Sequence, residues 1–185
     1  NSLMPIGEKY ADCILAGSSP PLSMIIGRFF ANILLFRALR DRLGLSHIRS
    51  ALTGGASLGT DVFRFFHAIG VNLKQLYGQT EIAGVTCMHL DGGVNGATVG
   101  LPLPGTEIRI DENGEILSRS AGLFSGYYGD KEATSRVLTS DGWLRSGDTG
   151  YLDAKGHLTV IDRVGNVLTL ADGSGFSAQL IENSL

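Results

Sequence analysis

A strand–glycine–helix–strand pattern constrains the fold of this chain more than any other feature. Residues 46–53 predict a buried strand that ends in the turn Gly54-Gly55. Residues 60–69 carry apolar side chains at helical spacing, with Thr60 as the expected N-cap. Residues 71–76 predict a second strand. This order is typical of an α/β unit, and the loops of such units commonly bind ligands.

The second strand leads directly into a group of aromatic, small and polar residues, Tyr77-Gly78-Gln79-Thr80-Glu81. The ring of Tyr77 could stack on a flat base, and Gly78 allows the backbone to come close to a ligand. The hydroxyl of Thr80 could hydrogen-bond a phosphate oxygen, and the carboxylate of Glu81 could hold Mg²⁺. The set suits a magnesium nucleotide, although a polar strand-to-loop turn would explain these five residues equally well.

The composition excludes several other classes of protein. With 185 residues, of which 43% are hydrophobic and 18% charged, the chain can bury a core, and its net charge of −3 gives no electrostatic support for nucleic acid binding. The only cysteines, Cys13 and Cys87, indicate a reducing, cytoplasmic location rather than a disulfide scaffold. The four histidines are scattered, so no structural zinc site is expected.

After Glu81 the pattern changes to short strand candidates separated by glycine-containing turns, which predicts a small distorted β-barrel. Residues 130–138 predict a short helix, residues 166–175 a hairpin, and Ala178 the start of a further helix. The predicted fold class is therefore α+β. Its predicted parts are the end of an α/β subdomain, a β-barrel subdomain, and the hinge with the first hairpin of a truncated C-terminal subdomain, at 1–84, 85–163 and 164–185.

The first 43 residues carry two further expectations. Residues 1–21 contain several glycines and prolines and predict a loop. Residues 22–43 predict a helix with a broad apolar face and a net charge of +3, from four arginines and one aspartate. Its charges argue against a transmembrane span. Two interpretations stay open: peripheral contact with a membrane surface or an acyl tunnel, and a core helix whose packing partners lie elsewhere.

Four blocks of sequence together identify a family. They are residues 52–58 (Leu-Thr-Gly-Gly-Ala-Ser-Leu), residues 77–81, residues 141–150 (Asp-Gly-Trp-Leu-Arg-Ser-Gly-Asp-Thr-Gly) and residues 161–163 (Ile-Asp-Arg). In this order and spacing they resemble the acyl-adenylate-forming enzymes, and most of all the long-chain fatty acid–CoA ligases. The resemblance extends from about Leu43 to Leu185, and the four blocks together are far more specific than any one of them.

The resemblance implies a role for each candidate residue. Glu81 is implied as the metal ligand, and Thr80 as a contact to the α-phosphate or the acyl oxygen; these two would be the catalytic residues. The residues implied to bind the nucleotide are Gly54, Gly55, Ala56, Tyr77, Gly78, Thr80, Asp148 and Arg163.

Within that set the roles differ. The turn at 54–56 would form a backbone wall beside the adenine, Tyr77 would line the base, Asp148 would hold the ribose diol, and Arg163 would contact ribose or phosphate. Simpler structural explanations are a core tyrosine for Tyr77, a solvated loop carboxylate for Glu81, an Asx turn for Asp148 and a surface ion pair for Arg163.

The implied activity is AMP-forming ligation of a fatty acid to CoA, with ATP and Mg²⁺. The family's phosphate-binding loop and its catalytic lysine have no counterpart in this sequence, so the chain is expected to be an internal fragment that is inactive alone. Several positions depart from the family pattern where its hinge and the hairpin after it fall: Gly165, Thr169, Ser174 and Ala178. These departures leave two alternatives open: a homologue that loads a carrier protein, and a non-catalytic one that binds nucleotide or acyl group.

Overall fold

The computed structural model describes residues 3–56, 58–169 and 175–177, and the chain forms two compact units. The first unit comprises Asn1–Gln75 and His89–Ala97, and the second comprises Leu76–Met88 and Thr98–Leu185. Helices dominate the first unit and strands the second, so the predicted α+β class is confirmed. The division into three predicted subdomains stays a prediction.

The first unit is a helical layer beside a short parallel strand pair. Ala51 to Thr53 of the first strand pair in parallel with Leu73 to Gln75, as the α/β pattern predicted. The prediction of a buried strand over 46–53 was wrong in extent and burial, because residues 46–50 are exposed and outside the strand and Leu52 is exposed within it. The elements of this unit, with the strand that continues into the second unit, are α1 Met4–Leu15, α2 Leu22–Ala31, a π-helical turn Asn32–Phe36, α3 Arg37–Arg42, β1 Ala51–Thr53, α4 Thr60–Ala68 and β2 Leu73–Tyr77.

Helix α1 overturns the prediction of a loop over residues 1–21. Pro5 lies in the first turn of the helix, where its missing N–H has no intrahelical partner to lose. Gly7 is buried, and a Cβ there would lie only 2.6 Å from the Phe36 ring and 2.8 Å from the carbonyl oxygen of Ala68. Glycine and proline were interpreted as helix breakers, but here they permit the first turn and a close helix contact.

The surroundings of Gly7 in α1 and Gly27 in α2 differ, and they predict opposite effects for the two glycine-to-alanine changes. Gly7→Ala should destabilise the fold by about 1–3 kcal/mol, because the new methyl group meets backbone that cannot move freely. Gly27→Ala in α2 meets only Ile6 at 3.5 Å and should stabilise the fold by about 0.5–1 kcal/mol. Denaturant unfolding of both variants checks the prediction, and two changes of the same sign would contradict it.

Helices α2 and α3 join through the π-helical turn into one helix, Leu22–Arg42, of 21 residues. Its inner side contributes Ala31 and Phe36 to a core that also contains Ile69 and Val71. In length and composition this helix could cross a membrane, although core helices of soluble proteins meet the same criteria. Little of it is buried, so its outer side has no cover among the residues that the structure describes.

Helix α4 begins one residue earlier than its predicted cap implies. Gly59 is the N-cap, and Thr60 is the first helical residue and makes no side-chain capping bond, so the prediction for Thr60 was wrong. The carbonyl of Gly59 accepts the first helical bond from the N–H of Phe63. The helix ends at Ala68, and Gly70 follows with φ of +90°, which suits the end of a helix.

The second unit contains a curled antiparallel sheet of four strands in the order β5-β6-β7-β8, half of a barrel. A smaller antiparallel set joins the end of β2 to β3 and β4. The elements are β3 Cys87–Met88, β4 Leu101–Pro102, β5 Thr106–Ile110, β6 Glu115–Ser120, α5 Lys131–Val137, β7 Leu144–Leu152, β8 Leu158–Arg163, β9 Val167–Thr169 and β10 Gly175–Ser177. The short helix is confirmed. β9 and β10 pair antiparallel through residues 167–169 and 175–177, so the pairing extends two residues beyond the hairpin predicted over 166–175. The helix expected from Ala178 lies outside the described residues.

The core of the second unit protects one of the two cysteines. Cys87 is fully buried beside Ile116 and Leu158, and burial raises the pKa of its thiol to about 12. Because the thiolate is the reactive form, Cys87 should resist alkylation in the folded chain, whereas the partly exposed Cys13 should react readily. Mass spectrometry after alkylation should find one modified cysteine under native conditions and two in denaturant; two under native conditions would contradict this burial.

Candidate functional site

The second unit brings three of the predicted site residues into one hydrogen-bonded group. The hydroxyl of Tyr77 donates to one carboxylate oxygen of Asp148 at 2.7 Å, and Nε of Arg163 lies 3.1 Å from the other. Burial and the neighbouring Asp148 carboxylate raise the pKa of Tyr77, so the phenol keeps its proton as a donor. Tyr77 and Arg163 are 86 positions apart in the sequence, so only the fold brings the three residues together.

The register of the sheet places Asp148 and Arg163 together. They are direct partners in the antiparallel pair of β7 and β8, and a bulge follows at the next position of β7. The Ser146 hydroxyl accepts the Asp148 N–H at 3.0 Å, which stabilises the backbone directly before Asp148. Gly147 adopts φ of +70°, a conformation that favours glycine. Ser146-Gly147-Asp148 therefore form an irregular stretch inside β7, where the pairing with β6 shifts register between Glu115 and Leu117.

Gly78 marks a close approach between two backbone segments. A Cβ at this position would lie 2.1 Å from the carbonyl oxygen of Gly84 and 2.7 Å from the Cα of Val85. Any larger residue would therefore push apart the end of β2 and the chain that follows the helical turn Thr80–Ile82. This backbone contact is enough to require glycine at position 78, whether or not a ligand also approaches it.

A cleft of about 720 Å³ opens beside these residues in the second unit. Among the described residues its lining includes predicted site residues and several others: Gly78, Gln79, Thr80, Glu81, Glu115, Tyr127, Arg136, Val137, Leu144, Arg145, Ser146, Gly147 and Arg163. Tyr77 and Asp148 do not line it, since Tyr77 is half-buried and Asp148 is only 8% exposed. Asp148 adjoins the cleft through its neighbours Ser146 and Gly147.

Glu81 is oriented at the cleft by contacts to one loop. The hydroxyl of Tyr127 donates to its carboxylate at 2.7 Å, and the N–H of Phe124 donates to its carbonyl at 2.8 Å. The hydrogen bond to the Glu81 carboxylate raises the pKa of Tyr127. Within the described residues only one carboxylate oxygen of Glu81 accepts a hydrogen bond, and Thr80 beside it is exposed.

The donor set at the cleft fits a magnesium ion that is carried in by a ligand. Within the described part of the chain, no three acidic, histidine or cysteine side chains group as a metal site. Mg²⁺ is commonly held by one or two carboxylates together with substrate phosphates and water. Glu81, with the Thr80 hydroxyl beside it, can supply the protein's share of such a site.

The remaining predicted residues, Gly54, Gly55 and Ala56, belong to the first unit. They follow β1 as an exposed turn, and Gly55 has φ of +85°. Their small side chains are consistent with a backbone wall for a ligand, and their role beside an adenine stays a prediction.

Sequence reasoning missed several residues that shape the site. Gln79 donates from its amide to the carbonyl of Ser146 at 2.8 Å, which ties the pentapeptide to β7. Glu115 accepts the N–H of Gly147 at 2.9 Å and pairs with Arg145 at 2.8 Å. Gln79 lies inside the motif and could have been included. Glu115 and Tyr127 reach the site through sheet register and a loop contact, which no local pattern in the sequence reveals.

The comparisons with known proteins agree with this geometry. The model of the AMP-binding enzyme family matches residues 17–128, which is more than half of the chain. The chain therefore belongs to the AMP-binding enzyme family, as its four sequence blocks predicted.

Two relatives and one solved structure place the chain within the family. It is 35% identical over 183 residues to a putative fatty-acid–CoA ligase, fadD11, of Mycobacterium tuberculosis, covering 98% of this chain and 32% of the relative. It is 32% identical to the peroxisomal long chain acyl-CoA synthetase 7 of Arabidopsis thaliana, covering 91% of this chain and 27% of the relative. A MenE variant of E. coli with bound OSB-AMS superimposes with a TM-score of 0.63 at 29% identity, over 82% of this chain and 33% of that one. The chain thus spans about a third of the length of the proteins that it matches.

Proposed function

We propose that this chain supplies the nucleotide-binding face of an AMP-forming long-chain fatty acid–CoA ligase. In the proposed reaction the fatty carboxylate attacks the α-phosphorus of ATP, and pyrophosphate leaves to give the acyl-adenylate. The thiol of CoA then attacks the acyl carbon and displaces AMP. The observation that carries the proposal is the group of Tyr77, Asp148 and Arg163, joined by contacts of 2.7 and 3.1 Å beside the cleft.

The ribose would bind at Asp148. A carboxylate oxygen can accept more than one hydrogen bond, so both ribose hydroxyls could bind while Tyr77 remains in place. Arg163 pairs with this carboxylate and also donates to the carbonyl of Ser146 at 3.2 Å, which limits where the carboxylate can turn. The adenine would lie against the ring of Tyr77, and the contribution of Gly54, Gly55 and Ala56 to its binding stays a prediction.

The phosphates and the attacking carboxylate would meet at Thr80 and Glu81. Mg²⁺, when bound there, would draw charge from the phosphoryl oxygens. Glu81 would hold its place through Tyr127, and the Thr80 hydroxyl would donate to an oxygen of the α-phosphate or of the acid. Because two anions must approach each other, positioning and charge neutralisation account for most of the acceleration in this kind of step.

The acid substrate is proposed from the relatives. Both relatives described above carry fatty-acid or long-chain acyl names. The solved structures are broader, since they include an amide bond synthetase, McbA, at 32% identity and a TM-score of 0.64. A fatty acid is therefore the acid that the sequence comparison favours, with CoA as the proposed acceptor.

One observation favours a second candidate function, that of an adenylating enzyme that loads a carrier protein. Gly165 lies exposed in the helical turn Val164–Asn166 directly after Arg163, and a Cβ there would meet nothing within 4 Å. No steric contact in the described residues therefore requires glycine at this position. A hinge of different stiffness would alter delivery to the acceptor more than formation of the adenylate.

The proposal is tested by pyrophosphate exchange into ATP with the full polypeptide that contains this chain. Exchange should appear with fatty acids and should not require CoA, since only the first half-reaction is measured. Adding CoA should then yield acyl-CoA and AMP. Exchange without acyl-CoA would favour the carrier-loading enzyme, and no exchange with any fatty acid would contradict the proposed activity.

A further inference from the structure

A basic pocket of about 480 Å³ lies in the first unit, where α1, the helix Leu22–Arg42 and the loops after α3 and α4 meet. Its described lining contains two arginines, Arg28 and Arg40, and no acidic side chain. Aromatic and apolar side chains form its other walls, among them Tyr10 and Phe29. Pockets of about 300–1000 Å³ that combine apolar walls with a few charged groups are typical of small-molecule sites. The size and the charge of this pocket therefore indicate a small anionic ligand.

The two guanidinium groups converge on one point of the pocket. A Cβ built on Gly70 would meet Nη2 of Arg28 at 2.9 Å and Nη1 of Arg40 at 3.0 Å. Gly70 carries no side chain, so the space in front of both groups stays open to a ligand. A single anion at this point could contact both arginines.

A π-helical turn brings the two arginines to the same side of their helix. Twelve positions separate Arg28 from Arg40, which in a regular α-helix of about 3.6 residues per turn leaves the side chains about 120° apart around the axis. The π-helical turn Asn32–Phe36 takes up one additional residue, and this reduces the angle to about 20°. Such turns inside α-helices frequently lie at functional sites.

Neither arginine forms an ion pair within the residues that the structure describes. Nε of Arg28 is buried with no hydrogen-bond acceptor among them, and its guanidinium lies 4.3 Å from the ring centre of Tyr10. Arg40 donates to the carbonyl of Ile69 and, at 2.8 Å, to the side-chain oxygen of Asn32. Both of these acceptors are neutral, so the two positive charges are not balanced there.

The acidic residue next to Arg40 in the sequence does not neutralise the pocket. Asp41 accepts the hydroxyl of Ser46 at 3.3 Å and is not part of the described lining. Burial and the nearby Arg40 lower the pKa of Arg28, as expected for a cation that loses water and lies beside another cation. A bound anion would relieve both effects.

We propose that this pocket is a binding site for a small phosphate monoester, with its dianionic phosphate between Arg28 and Arg40 and its organic part against Tyr10 and Phe29. Arginine forks match phosphate oxygens, and two arginines balance the charge of a dianion. The side-chain nitrogen of Asn32 offers a further donor, since its oxygen already accepts from Arg40. The apolar walls favour an ester over inorganic phosphate.

This site is separate from the proposed nucleotide site. The pocket belongs to the first unit and the cleft beside Glu81 to the second, and their described linings share no residue. The proposal therefore does not rest on the proposed ligase activity.

NMR titration of phenyl phosphate into the full polypeptide tests the proposal, with a fatty acyl sulfamoyl adenosine present to fill the nucleotide site. Phenyl phosphate should bind about tenfold more tightly than inorganic phosphate, because its ring can be buried against the aromatic walls. Phenyl sulfate has the same ring but one negative charge instead of two, and it should bind about fivefold more weakly than phenyl phosphate.

Two substitutions in the pocket should weaken phenyl phosphate binding by about tenfold or more. Arg28→Gln removes one of the two charges. Asn32→Asp places a fixed carboxylate at the atom that Arg40 already contacts at 2.8 Å, so the ligand would have to compete with it. Without ligand neither variant should have a lower thermal unfolding midpoint than wild type, because each relieves an unbalanced positive charge.

A matched control lies on the same helix. Arg42→Gln removes the same charge at an exposed position that is not part of the described lining. It should change the affinity for phenyl phosphate by less than twofold.

Three results would overturn the proposal. Wild-type protein that does not bind phenyl phosphate would show that the rest of the polypeptide covers the pocket or supplies its acid. Equal losses for Arg28→Gln and Arg42→Gln would reduce the effect to bulk charge. A lower unfolding midpoint for Arg28→Gln with unchanged affinity for phenyl phosphate would make Arg28 a purely structural residue.

Discussion

Replacing Glu81 by glutamine in the full polypeptide is expected to lower adenylate formation by a factor of roughly 100 to 1000. Glutamine keeps an oxygen that can accept the Tyr127 hydroxyl, so the loop that now contacts Glu81 at 2.7 Å should stay in place. What is lost is the negative charge that would hold Mg²⁺ beside the phosphates. Pyrophosphate exchange at saturating ATP and fatty acid measures the effect on this step alone.

Two further variants show whether this loss comes from the site. Glu112→Gln makes the same change at an exposed position in the turn before β6 and should leave exchange unchanged. Tyr127→Phe removes the bond that orients Glu81 and should cost less, about tenfold, since it deletes one hydrogen bond to a charged group. If Glu81→Gln retained more than half of the wild-type exchange rate, Glu81 could not be the metal ligand.

Asp148→Asn is expected to weaken binding of an acyl-adenylate analogue by roughly 10- to 100-fold, because hydrogen bonds to a charged group contribute about 1.5–3 kcal/mol. The variant also leaves Arg163 without the carboxylate that lies 3.1 Å from its Nε. Calorimetry with the sulfamoyl adenylate of a fatty acid measures the affinity. An analogue that lacks both ribose hydroxyls should bind wild type and variant about equally, because neither complex can form the hydrogen bonds between ribose and residue 148.

One result of this calorimetry would contradict the proposed contact between Asp148 and the ribose. If the variant lost the same affinity for the analogue without ribose hydroxyls, Asp148 would act only by supporting the fold through Tyr77 and Arg163. Asp61→Asn, at an exposed position in the first turn of α4, controls for loss of an acidic charge and should bind like wild type.

The sequence predicted the strand–helix–strand unit because its apolar spacing and glycine turns are local signals. The parallel pairing of β1 and β2 follows from that pattern. Helix α1 was missed for the opposite reason, since Pro5 and Gly7 are unfavourable for a helix by local propensity. Gly7 is explained only by its contact with Phe36 and Ala68, which are far away in the chain.

The sequence could name residues of the candidate site where a motif contains them, and their roles in binding stay predictions. Tyr77, Asp148 and Arg163 were named as separate nucleotide contacts, and the structure joins them directly. Their bonding to one another was not predictable, because it depends on the register of β7 and β8. Glu115 supports Gly147 from a neighbouring strand, and nothing in the residues around it signals that role.

The central claim is that Tyr77 and Asp148 face a single adenosine, with Glu81 at its phosphate end. The most direct measurement is a crystal structure of the full polypeptide with a fatty acyl sulfamoyl adenosine. We predict both ribose hydroxyls within hydrogen-bond distance of the Asp148 carboxylate, and the adenine in contact with the Tyr77 ring. An adenosine bound elsewhere, with the Tyr77–Asp148 bond intact and distant from the ligand, would contradict the account.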